Sequence, residues 1–184
     1  MPASAAVIRD ATHTDLGAIA AIFSHYVTET VVTFEEVPPT VDDWARRLAE
    51  LTDRGLPFLV AEVPEVAEVA EGAGRTVVGY AYAGPWRPKP AYRHTAEDAI
   101  YLAPGRTGAG LGAALLGALL THCAEAGVRQ VVAVIADSGS DASAALHRRF
   151  GFTPAGKLAG VGRKHGRWID THLMQRDLTT GANP

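Results

Sequence analysis

With one cysteine in 184 residues, Cys123, the chain cannot build an intrachain disulfide framework. It also lacks a dominant charge: 17 Lys and Arg stand against 20 Asp and Glu, and no basic run interrupts the sequence. That removes the electrostatic footprint of a nucleic-acid binder and directs attention to a small-molecule ligand. Nor is there a charged start followed by an apolar core, as in a signal peptide, or the ~18 apolar residues of a membrane span. A cytoplasmic protein with no membrane partner is therefore expected. Metal-ligand spacing is missing as well: His165 and His172 flank a strand, His13, His25, His94 and His122 are scattered, and no metal is expected. What the chain does have is apolar mass, 47% of its residues. This suffices for one domain, 1–184 with a core of about 7–178, burying roughly 70% of the surface that the unfolded chain exposes.

The apolar residues alternate between two periods. "VIRDATHTDLGAIAAIFSHYVTE" reads as a short strand, a capping Thr or Asp, and a helix with Leu16, Ile19, Ala20 and Phe23 on one face. In "PPTVDDWARRLAELTDRG", Thr40 is a plausible N-cap, Trp44, Leu48 and Leu51 keep helical spacing, and Gly55 marks the stop. "LPFLVAEV" and "RTVVGYAYAGPW" suit neighbouring antiparallel strands joined by a surface loop, "PEVAEVAEGAG". A strand over 96–102, a helix over 110–126 and a strand over 130–136 follow, then the helix "SDASAALHRRFG" and two terminal strands. The order is βααβββαβαββ. The charge-poor run Val131–Ile135 suits a strand covered on both faces, and the crossover through 110–126 makes the strands on either side of it parallel, giving an α/β core.

Ahead of the 110–126 helix, "YLAPGRTGAGLG" concentrates glycine. A helix N-terminus presents unpaired N–H groups and the positive end of the helix dipole, which suit a pyrophosphate where no side chain intervenes. Gly105, Gly108, Gly110 and Gly112 would let the chain bend through positive φ and aim those groups at one point. A flexible turn followed by a close-packing helix is the plainer alternative. No Gly-Lys-Ser/Thr follows, so the segment is not a P-loop, and Gly108-x-Gly110-x-x-Ala113 lacks the third glycine of a dinucleotide turn.

"GLGAALLGALL" after a strand, then "VVAVI" and "SDASAALHRRFGF", resembles the acetyl-CoA-binding core of the GNAT superfamily of N-acetyltransferases. "AYAGPWRPKPAYRHTAEDAIYL" and "LHRRFGFTPAGKLAGVGRKHGRWIDTHLMQ" resemble its phosphinothricin and methionine sulfoximine acetyltransferase branch, with likeness from about Ile8 to Leu178. The resemblance implies a mostly antiparallel mixed sheet with a central, splayed parallel strand pair flanked by helices. It also implies acetyl-CoA as cosubstrate, a small amine acceptor and a homodimer. It assigns acetyl-CoA to Ile100, Tyr101, Leu102, the turn Arg106, Thr107, Gly108, Ala109, Gly110, Leu111 and Gly112, and to Ser140 and Ser143. The acceptor falls to Phe34, Arg87, Tyr92 and Arg93. Two positions depart from the pattern: Thr107 stands where the superfamily turn usually begins with Gln or Arg, with Arg106 one residue early, and Ser140 replaces the usual Asn.

Transfer of acetyl to an amine needs a base, because the amine is mostly protonated at neutral pH. Glu97, in a strand otherwise built from Ala, Ile, Tyr and Leu, is the candidate: partial burial would raise its pKa, and it matches the branch's catalytic glutamate. Asp98 points to the other face and reads as an uninvolved carboxylate. His147, also shared with the branch, could stabilise the oxyanion, protonate the leaving thiolate, or be held structurally on its helix. Backbone N–H groups near Tyr101 and Leu102 could serve as the oxyanion donor if the strand splays. Cys123 reads as packing. Tyr82, Trp86 and Trp168 could be core or substrate wall. Arg87 and Arg93 are expected to clamp an anionic acceptor, the planar guanidinium making two parallel bonds. Another amine acceptor and a non-catalytic CoA-binding module are the competing functions.

Overall fold

The computed structural model describes residues 6–64 and 75–179. Its elements are β1 (Val7–Asp10), α1 (Leu16–Glu29), α2 (Val41–Asp53), β2 (Phe58–Pro64), β3 (Arg75–Pro85), β4 (Thr95–Leu102), α3 (Leu111–Glu125), β5 (Gln130–Ala136), α4 (Ala142–Arg149), β6 (Thr153–Lys164) and β7 (Arg167–Asp177). The observed order is the one read from the periodicities. The expected Glu-Val-Ala loop falls on 65–74 and lies outside the described residues.

Local signals set the helix ends. Thr40 caps α2 by accepting from the Asp43 N–H at 3.2 Å, while its own N–H donates to the Asp43 carboxylate at 2.7 Å. Two orphan donors are thereby satisfied reciprocally. Beyond its end, Gly55 turns through a positive φ of 66°, and the Leu56 N–H closes onto the Leu51 carbonyl at 2.9 Å. In α3 the apolar positions Leu115, Leu116, Leu119 and Cys123 are all at 0% exposure. Each such leucine contributes roughly 1.5–3 kcal/mol by leaving water.

The seven strands form one sheet in the order β1-β2-β3-β4-β5-β7-β6, antiparallel throughout except for β4 and β5. A helix crossover joins that pair, as parallel pairing requires. One core cluster packs α3 against Leu59, Ala81, Ala96 and Val131. The other packs α1 and α2 against Phe58, Val60 and Tyr80. Coverage of β5 is less complete than its composition suggests: Val131, Val132 and Ala133 are buried, but Val134 is 39% exposed. The sheet opens at that point. No helix among the described residues is long and apolar enough to cross a membrane.

Candidate active site

Parallel pairing of β4 and β5 runs from Thr95↔Gln130 to Asp98↔Ala133 and stops. Beyond it β4 stays paired with β3 as far as Leu102↔Gly79, and β5 with β7 as far as Ala136↔Thr171. The two strands therefore diverge, and a cleft of about 500 Å³ occupies the opening, walled by Ala99–Leu102 on one side and Ala133–Ala136 on the other. Inside the wedge, each strand has lost a hydrogen-bonding neighbour, so its backbone polar groups need another partner. The Tyr26 hydroxyl takes one of them, donating to the Leu102 carbonyl at 2.6 Å.

The glycine turn stands at the mouth of this cleft. Gly105, Gly108 and Gly110 adopt φ of 76°, 81° and 79°. Gly110 is the residue before α3, and among the described residues no side chain caps that helix. Its first N–H groups are thus directed outward without a protein partner in the first turn, an arrangement suited to an anion. Gly112 does not share the positive φ expected of it: it lies inside α3, where an added Cβ would meet Leu146 Cδ2 of α4 at 3.3 Å. Its smallness serves helix packing. Thr107 and Gly112 line the cleft, while Arg106, Gly108, Ala109 and Gly110 are exposed beside it and Leu111 is buried in the core.

Glu97 stands one residue before the strands part and lines the cleft half-buried. Burial raises its pKa above the ordinary 4.5; the neighbouring Asp98 charge adds to the rise, and Arg87 opposes it. Alternation along β4 sends Asp98 to the α3 face. It is not an uninvolved carboxylate there. Its Oδ2 meets His147 Nε2 at 2.9 Å, with side chains only 2% and 5% exposed, and its Oδ1 has no partner among the described residues. The other ring nitrogen, His147 Nδ1, lies 2.7 Å from the Ser143 carbonyl. Burial disfavours the imidazolium, but the Asp98 hydrogen bond and charge together with the Ser143 carbonyl outweigh it and raise the His147 pKa. With both nitrogens engaged, the histidine fastens α4 to the strand at the point of divergence. Cys123 is fully buried, its thiol pushed up to about 12 by burial and by the Asp98 charge, which makes it a packing residue rather than a nucleophile.

Glu97, Ile100, Tyr101, Leu102, Thr107, Gly112, Ser140, Ser143 and His147 are thus gathered around one opening. The acceptor residues suggested by resemblance are not. Phe34 lies against Gly162 of β6. It is 41% exposed, and Tyr92, in the 3-10 turn Pro90–Tyr92, is 44% exposed. Arg87 is exposed and stacks over Trp86 with its guanidinium carbon 4.6 Å from the ring centroid. Arg93 is exposed and donates to the Pro90 carbonyl at 3.3 Å. Trp168 is 70% exposed, and of the undecided aromatics only Tyr82 lines the cleft. Sequence reasoning passed over Tyr26, Thr33, Glu35 and Arg47, which also line it. Arg47 carried a signal: it falls three residues after Trp44, on the edge of the buried face of α2.

A sheet that opens at one parallel pair, an uncapped glycine-led helix at the opening and a carboxyl of raised pKa inside define a group-transfer enzyme. They combine an anion cradle, an unpaired strand edge and a proton acceptor. Residues 8–173 match the acetyltransferase (GNAT) domain. The chain belongs to the GNAT acetyltransferase family. It is 46% identical over 175 residues to the phosphinothricin N-acetyltransferase of Alcaligenes faecalis, spanning 95% of this chain and 82% of that one. It is 40% identical over 176 residues to the L-methionine sulfoximine/L-methionine sulfone acetyltransferase of Pseudomonas aeruginosa, with 94% and 95% covered. The crystal structure of a phosphinothricin acetyltransferase from Sinorhizobium meliloti in complex with acetyl-CoA superposes with a TM-score of 0.84 at 42% identity, covering 96% of this chain and 90% of that one.

Proposed function

We propose that this acetyltransferase moves the acetyl group of acetyl-CoA to the α-amine of a small polar amino-acid analogue of the phosphinothricin or methionine sulfoximine type, with Glu97 as general base. The observation that carries the reading is the half-buried carboxyl of raised pKa at the divergence of β4 and β5. The chain's groups fit the cosubstrate: the first N–H groups of α3 suit its pyrophosphate, and the free edge of β4 at Ala99–Leu102 suits its extended amide arm. Acetyl-CoA supplies an activated thioester, so no covalent enzyme intermediate is required. Glu97 takes a proton from the acceptor's ammonium group, and the neutral amine attacks the thioester carbonyl directly in a ternary complex; the C–N bond forms, the C–S bond breaks, and CoA leaves as a thiolate that takes up the second proton lost by the nitrogen. The closely similar relatives named for phosphinothricin and methionine sulfoximine support the acceptor class.

Thiol release from acetyl-CoA, measured across phosphinothricin, methionine sulfoximine, the standard amino acids and a polyamine, tests this. Turnover is expected to be fastest on the first two. Release with the polyamine and none with any amino acid would assign the enzyme another acceptor; release with nothing would leave a CoA-binding module.

A further inference from the structure

Among the residues lining the cleft, Arg47 is the only one with a permanent positive charge. It also lines an adjoining cavity of about 240 Å³, and Glu97, Asp98, Tyr82 and Ala99 are common to both spaces. The side chain is half-buried and its guanidinium is held by two aromatic residues. Its carbon lies 5.1 Å from the Trp44 ring centroid and 5.2 Å from that of Tyr82, and Nη1 donates to the Tyr82 hydroxyl at 2.7 Å. Trp44 is itself only 1% exposed, so the platform is part of the core. A guanidinium has five N–H donors, of which this contact uses one.

Arg9, Arg46, Arg54 and Arg148 each have a carboxylate within 4 Å, whereas Arg47 has none among the described residues. Four carboxylates share its cavities without pairing to it: Glu50 is bridged to Arg54 at 3.2 Å, Asp98 to His147 at 2.9 Å, Glu97 is the proposed base, and Glu35 lines the cleft. A half-buried cation held in a fixed orientation by aromatic side chains, with no carboxylate of the described residues within ion-pair distance, is placed to receive an anion.

We propose that Arg47 is the specificity-determining residue that binds the α-carboxylate of the acceptor. The assignment rests on the amino-acid reading above and deepens it. A carboxylate is the anion common to every amino-acid acceptor, and it shares a carbon with the amine. A clamp bordering the same cavity as Glu97 therefore sets the amine at the base. Arg93 and Arg87 lie on an exposed loop and do not line the cleft, although the Arg87 charge acts on Glu97.

The experiment compares wild type, Arg47→Lys and Arg47→Gln on methionine sulfoximine and on its carboxamide, where the anion is replaced by a neutral group of the same shape. Arg47→Gln is expected to lower kcat/KM for the acid roughly ten- to a hundredfold, the effect of losing a charge-assisted hydrogen bond. The amide should change little, so the acid-to-amide ratio collapses, while the KM for acetyl-CoA stays at the wild-type value. Arg47→Lys should fall between, keeping the charge but losing the planar fork. Equal losses on acid and amide would reduce Arg47 to a packing residue of α2 and overturn the assignment, as would unchanged kinetics on the acid. Wild-type enzyme inactive on every anionic amino acid would instead remove the amino-acid reading on which the assignment depends.

Discussion

A carboxyl held above its ordinary pKa moves the pH at which a base begins to work. Glu97 must be ionised to accept a proton, so kcat/KM should rise with pH through a value above the ordinary 4.5. Glu97→Gln should lose that limb and lower turnover on the order of 10²–10⁴-fold, with acetyl-CoA affinity kept. A pH–rate profile with calorimetry checks both; near-normal turnover in the variant would place the base elsewhere. The Asp98–His147 pair answers to pH with the opposite sign. The folded-state pKa of His147 lies above the ordinary 6.5. Its contribution to stability is thus fully present below 6.5 and lost as pH rises through the folded value. Asp98→Asn should cost about 1.5–3 kcal/mol at the acid end, the range of a hydrogen bond to a charged group. The difference from wild type should shrink on the alkaline side. Urea unfolding of both proteins across that window decides it, and a difference independent of pH would mean that the pair is not charged.

At the scale of elements, α3 and the turn before it separate two uses of glycine. At Gly110 nothing lies within 4 Å of where a Cβ would stand, yet φ is 79°. The cost of a side chain there is conformational, about 1–2 kcal/mol for an ordinary L-residue in the left-handed region and more for a β-branched one. Gly110→Val should therefore relax the turn away from the helix axis. Acetyl-CoA is expected to bind roughly tenfold or more weakly while the acceptor's KM changes little. Unchanged affinity by calorimetry would return the turn to a purely structural role. At Gly112 the restriction is the Leu146 side chain, which belongs to α4. That distinction was not legible from the glycine spacing, because φ depends on where the helix starts and packing on which helix lies opposite.

Across the whole molecule, the cleft is bounded by both diverging strands, by the start of α3 and by α4. A ligand bridging them binds the folded chain and not the unfolded one. Acetyl-CoA at a hundred times its Kd should stabilise by about 2.7 kcal/mol. For a chain of this length that raises Tm by roughly 5–11 °C. A thermal melt without a shift at saturating acetyl-CoA would dissociate the cleft from the cosubstrate.

The sequence by itself determined whatever depends on neighbours a few residues apart. The element order followed from periods of 2 and 3.6, the ends of α2 from Thr40 and Gly55, the positive φ at Gly105, Gly108 and Gly110 from their lack of a Cβ, and the raised pKa of Glu97 from its apolar strand. Tertiary structure alone decided relations across distant segments. Parallel pairing ends at Asp98↔Ala133 because β3 and β7 hold the two strands on diverging courses. Asp98 finds His147 49 positions away, and Arg47 of α2 meets Tyr82 of β3 across 35. The arginines on the loop before β4 stay at the surface, and the arginine that lines the cleft comes from α2, earlier in the chain. No local pattern encodes such meetings: they arise when helices and strands are packed over a shared core, and burial then fixes which side chains retain a partner and which are left to bind a ligand.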